Sequence, residues 1–187
     1  MEQKHPFRWI RKSSRKRVFA FFLILSILTM LVFQSLDSPL KTDAAPFGIL
    51  SFQLAGSSVN TIKILDSWDV HATNYAIFGL GFDYLFMFLY VIAVGLGCAI
   101  VSEKFGSEKK FLSSLGVLLS WGLIVAGLAD ALENYGHAVI MLTERWGIWP
   151  EIVFIAAVVK FFFLIAGMLY MIVGAFLPGE KRMRETA

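Results

Sequence analysis

Four apolar runs, 18–33, 76–101, 111–142 and 152–177, decide most of what this 187-residue chain can become. A membrane-spanning helix needs about 20 mostly apolar residues. In hydrocarbon only helices and closed barrels satisfy every backbone N–H and C=O, and runs this long match helices. With 57% hydrophobic and 17% charged residues, the chain is not a soluble domain of its size. The expected fold is all-α, an integral membrane four-helix up-down bundle. The single cysteine, Cys98, excludes a disulfide within the chain and a zinc site built on cysteine.

Charge sets the expected orientation. Seven of the 17 Lys and Arg lie between Lys4 and Arg17, in a basic tail 1–17 just ahead of the first run. That cluster suits anionic headgroups better than nucleic acid. The first run is too long for a typical signal peptide and lacks a nearby small-x-small cleavage site, so it reads as an uncleaved signal anchor. With all four runs spanning and the N-terminus cytoplasmic, the inner parts (1–17, 102–110 and the tail 178–187) hold 13 Lys and Arg. The outer parts (34–75 and 143–151) hold three. This bias predicts both termini inside. Trp68, Tyr75, Trp146 and Trp149 then fall at the outer interface, and the short connections make neighbouring helices antiparallel.

Asp130, Glu133, Asn134 and His137 are spaced i, i+3, i+4 and i+7 in the third run, on one stripe of a helix. Ionisable residues at membrane depth are costly and mark functional sites by default. Asp83 in the second run and Lys160 in the fourth are the neighbours to consider. Asp83 lies ten residues from Thr73, Glu133 ten from Thr143 and Lys160 ten from Pro150. Ten residues of helix cover about 15 Å, so the three share a level in the outer half of the bilayer.

Three carboxylates then face one ammonium. Lys160 neutralises one. The others must be protonated, hydrated, paired with His137 as imidazolium, or compensated by a bound cation or cationic ligand group. A carboxyl that keeps its proton beside an ionised one is the arrangement general acid–base chemistry needs. Asp130 and Glu133 are thus the candidate catalytic pair, and Asp83, Tyr84, Asn134, His137 and Lys160 the candidate ligand-binding set. The competing reading is a buried clamp that only fixes which helices are neighbours.

The outer segment 34–75 is the largest piece outside the runs. Residues 46–55 are apolar but too short to span, which predicts an interfacial or re-entrant helix. A second helix over 59–68 follows the Gly56-Ser57-Ser58 break, with Ser57 or Ser58 as its N-cap. The segment is either a surface loop or a lid over the stripe with His71 near its hinge. His71 and His137 have no metal-site spacing, so no metal is expected, and no cofactor is indicated. Ala93-x-x-x-Gly97, Gly127-x-x-x-Ala131 and the run Phe161-Phe162-Phe163 read as packing.

Around Phe52-Gln53-Leu54-Ala55-Gly56-Ser57, Asp83-Tyr84-Leu85-Phe86 with Tyr90, and Asp130-x-x-Glu133-Asn134, the chain resembles a group of uncharacterised bacterial four-span membrane proteins, over about residues 45–175. That resemblance implies a bacterial inner (plasma) membrane and supplies no mechanism. No nucleotide-binding glycine loop, HExxH or serine elbow is present.

The leading expectation is therefore a charged intramembrane pocket open to the extracytoplasmic side. It would bind a small amphipathic molecule or lipid headgroup, with lipid-modifying acid–base chemistry as an extension. The alternatives are proton or ion translocation by a homo-oligomer, disfavoured because below Asp130 the third run offers only Ser120 and Trp121 before its inner end, and a structural or accessory subunit. The expected partners are the lipid bilayer and that ligand, with no nucleic acid.

Overall fold

The computed structural model describes residues 4–143 and 146–179, and among them the only regular structure is helical. Four long helices are apolar enough to cross a membrane: α1 (Lys12–Asp37), α4 (Val70–Phe105), α5 (Lys110–Leu142) and α6 (Trp149–Phe176). Two short ones, α2 (Ile49–Gln53) and α3 (Ser58–Ser67), lie between α1 and α4. Single 3₁₀ turns cover Pro6–Trp9 and Ser38–Leu40.

The helices outrun the apolar segments that predict them. α1 starts at Lys12, so six residues assigned to the basic tail are helical, and α4 starts at Val70 rather than 76. Hydropathy marks only the part that water avoids, whereas a helix continues until a cap stops it. Asp69 supplies that cap for α4, its Oδ1 accepting from Ala72 N–H at 2.7 Å. At about 1.5 Å per residue, the 36 residues of α4 reach about 54 Å, well beyond a hydrocarbon core of about 30 Å. Residues 180–187 of the predicted tail lie outside the described residues.

Neighbouring long helices are antiparallel. Ser102 meets Ser113 and Gly95 meets Ser120 between α4 and α5, while Leu112 meets Tyr170 and Asp130 meets Lys160 between α5 and α6. Phe33 of α1 packs on Phe82 and Phe86 of α4, with Arg15 paired to Glu103 at the other end of the same two helices. α4 is the central helix: 61% of its most apolar window is buried against 11% for α1. Gly97 lets α4 approach Phe19 and Met171, which gives that small residue the packing role expected of it.

The segment between α1 and α4 is a packed cap rather than a surface loop. Leu40, Phe52, Ile64 and Trp68 are buried with Ile140 of α5 and Val153 of α6. The helix expected over 46–55 is only five residues long, because Pro46 removes an N–H donor and Gly48 turns at φ +58. α3 forms as read, with Ser57 Oγ accepting from Asn60 N–H at 3.3 Å. Trp68 is not an exposed anchor; it is buried, and its indole N–H donates to Leu40 C=O at 2.9 Å. At the opposite, basic end, Lys104 donates to the carbonyls of Gly174 (3.1 Å) and Ala175 (2.8 Å), capping the end of α6.

Candidate functional site

The polar stripe of α5 turns inward and meets both predicted neighbours. Asp130, Glu133, Asn134 and His137 are all buried. Lys160 of α6 reaches between the two acids, its Nζ 3.0 Å from Asp130 Oδ1 and 2.7 Å from Glu133 Oε2. From α4, half-buried Asp83 accepts a hydrogen bond from Asn134 Nδ2 at 2.8 Å. Three helices thus converge on one polar cluster. Lys160 Nζ also sits 4.7 Å from the centre of the Phe161 ring, a cation–π contact that draws one residue of the phenylalanine run into the site.

Tyr90 is the member that sequence spacing offers and the sequence reading passes over. Its hydroxyl donates to Asp130 Oδ2 at 2.9 Å. Tyr90 lies seven residues after Asp83, two turns along the same face of α4. Tyr84, by contrast, is one residue from Asp83 and so rotated by about 100° around the helix. It is 43% exposed, its hydroxyl 3.4 Å from Ala131 C=O, and the structure leaves it outside the cluster.

Five buried side-chain atoms at this site have no hydrogen-bond partner among the described residues: both oxygens of Glu133, Oδ1 of Asn134 and both nitrogens of His137. Glu133 Oε2 is ion-paired to Lys160 Nζ at 2.7 Å, and Oε1 lies 4.0 Å from His137 Nδ1. Polar atoms in an apolar surround are costly to bury, and here the Lys160 ammonium offsets part of that cost for Glu133. The structure separates the two histidines. His71 is exposed at the start of α4, its ring against Tyr75, whereas His137 lies under Phe52. No group of three or more His, Cys, Asp or Glu able to hold a metal occurs among the described residues.

A cavity of about 470 Å³ leads to the cluster. Its walls are apolar: Met30 and Phe33 of α1, Leu80 and Phe86 of α4, Leu164 of α6, and Ile49 and Leu50 of α2. Asp83, Tyr90, Asp130, Asn134 and Lys160 line its inner part, and Asp37, Lys41 and Gln53 lie toward the cap. Glu133 and His137 are not in the lining; they stand behind Lys160 and beneath Phe52. Of the predicted catalytic pair, then, Asp130 faces the cavity and Glu133 backs it. Comparison with protein families, with curated proteins and with solved structures gives no match to this chain.

Proposed function

We propose that this multi-pass membrane protein binds an amphipathic molecule in the cavity, apolar tail along the walls and headgroup against Asp83, Tyr90 and Asp130. The observation that carries this reading is a cavity with apolar walls and a charged inner end. A site of this form fits a lipid-like ligand, because apolar surface supplies affinity and a few placed polar groups supply orientation. The head is cationic. Three carboxylates (Asp83, Asp130, Glu133) face one ammonium (Lys160), and an amine placed beside Asp83 halves the formal deficit of two charges that this buried cluster leaves.

In the same reading the cap end faces outward, both termini are cytoplasmic and the membrane is a bacterial inner membrane. The bias of Lys and Arg supports the orientation. Acid–base chemistry on the bound head falls to Asp130, the cavity-facing acid, with Tyr90 and Lys160 holding its two oxygens. Ion translocation is the weaker reading. Inward of Asp130, Ala126 and Leu123 are fully buried and apolar, and the Ser120 hydroxyl is engaged by Gly95 C=O at 2.8 Å.

Asp83→Asn tests the proposal, since an amide still accepts from Asn134 but carries no charge. The readout is thermal unfolding of the detergent-solubilised protein with dodecylamine or with dodecanol. The amine should raise the melting temperature of wild type and do so much less for Asp83→Asn, while the alcohol should act alike on both. Equal responses of the two proteins to the amine would sink the reading.

A further inference from the structure

At the basic end, a second cleft of about 400 Å³ opens beside the start of α1, far from the cavity just described and independent of it. Its rim is the N-terminal segment, which composition alone leaves as a free tail. Phe7 and Ile10 are buried there against Leu96 and Ala99 of α4. Gly95 admits the Phe7 ring, which a Cβ at that position would meet at 2.8 Å. The Trp121 indole N–H further ties the segment down by donating to Lys4 C=O at 3.0 Å. Anchored in this way, Arg8 and Arg11 stand in fixed places rather than on a mobile tail.

Charge in the cleft is one-sided. Arg8, Arg11, Lys12 and Arg15 line it together with one carboxylate among the described residues, Glu103. Arg15 pairs with that carboxylate and donates through Nε to Ile10 C=O at 3.0 Å, and His5 Nε2 lies 3.4 Å from the same Glu103 oxygen. Glu103 is thus engaged by Arg15, while Arg8 and Arg11 border the open space. Two hydroxyls, Ser102 and Ser113, also line the cleft, 3.3 Å apart. The first turn of α1 opens here without a side-chain cap at Arg11, and the positive end of the helix lies on this side. Trp9, beside the cleft, is 76% exposed, as suits a residue at a membrane interface.

We propose that this cleft binds a phosphate ester, the headgroup of an anionic phospholipid in the leaflet that the basic end faces. Guanidinium forks match phosphate oxygens two at a time, and a surface potential set by anionic lipids concentrates the ligand where the cleft lies. The pocket holds the phosphate between Arg8 and Arg11, with Arg15 kept in place by Glu103.

The experiment uses the full chain in a nonionic detergent. Binding of phosphatidylglycerol and of phosphatidylcholine with the same acyl chains is measured by native mass spectrometry, with glycerol 3-phosphate as a soluble competitor. The variant Arg8→Gln/Arg11→Gln is compared with Lys16→Gln/Arg17→Gln, which removes the same charge from exposed positions outside the cleft. Wild type should retain phosphatidylglycerol over phosphatidylcholine. The arginine pair variant should weaken that binding about tenfold and the control pair much less, as directed phosphate contacts require. Competition by glycerol 3-phosphate would uphold the cleft and assign it a soluble phosphate ester; no competition would assign it the lipid. Equal losses in the two pair variants, or equal retention of the two lipids by wild type, would overturn the proposal.

Discussion

The Phe52 ring lies over the His137 imidazole, centroids 4.6 Å apart and planes tilted by 33°. One residue of a five-residue helix thus covers the end of the α5 stripe, and the cap and the polar cluster form a single packed unit. Trp68 backs the ring from the other side at 5.2 Å.

Phe52→Ala should therefore act twice. Removing a fully buried phenyl costs about 3–5 kcal/mol where the surroundings cannot collapse, and it uncovers His137. Thermal unfolding in detergent should show the loss, and hydrogen exchange should rise in residues 49–68. A variant as stable as wild type would mean that the cap does not depend on this contact.

Lys160 joins two acids, so its loss should cost more than the loss of either partner. Lys160→Met leaves Asp130 and Glu133 buried without a counter-charge, a defect of about 3–5 kcal/mol. Adding Glu133→Gln should recover part of this, giving clear non-additivity in a double-mutant cycle of melting temperatures. Strict additivity would show that the contacts do not act together. Single variants that stay folded but lose cellular function would exclude a clamp as the sole role, and a double variant as stable as wild type and fully functional would make these charges a dispensable clamp and remove the pocket reading.

The two tyrosines of α4 should behave differently. Tyr90→Phe removes the donor to Asp130 inside the bundle, worth about 1–3 kcal/mol. Tyr84→Phe touches a long contact at an exposed position and should stay within about 0.5 kcal/mol of wild type. Equal effects would contradict the facing of α4 described above.

Acid should loosen the basic end. Burial first, then the Arg15 guanidinium, holds the His5 imidazole below its ordinary 6.5, against the opposing pull of Glu103. The neutral ring also accepts from Phe7 N–H through Nδ1 at 3.2 Å, which a protonated ring cannot do. The folded chain thus binds this proton less well than the unfolded chain. Its contribution is complete above pH 6.5 and is lost as pH falls toward the lowered folded-state value. Melting temperature should drop between about pH 7 and about pH 5 in wild type and change less in His5→Gln. An unchanged slope in the variant would remove His5 from the account.

Sequence made the long helices and the meeting of Asp83, the stripe and Lys160 legible, because hydropathy fixes which segments are apolar and helical rise fixes depth. Rotation about a helix axis was less legible. Depth alone admits Tyr84, whereas the seven-residue spacing from Asp83 favours Tyr90, and the facing of α4 agrees with that spacing. The cap was the hardest part: its contacts join Phe52 to His137 and Trp68 to Leu40 across stretches that no local period links. Arg15 was hidden for another reason, since a basic run looks uniform until one member finds its acid on another helix.

α1 is fastened at its two ends and thinly packed between them. Arg15 pins it to Glu103, and at the other end Asp37 accepts from Ile49 N–H at 2.8 Å, its carboxylate against Gly48. The stretch between carries Met30 and Phe33, which wall the cavity. Aromatic contacts hold this stretch, Phe22 on Phe88 and Phe33 on Phe82 and Phe86, and only 11% of its most apolar window is buried. In the function proposed above, this thinly covered wall is the side by which a hydrophobic tail would enter the cavity from the bilayer.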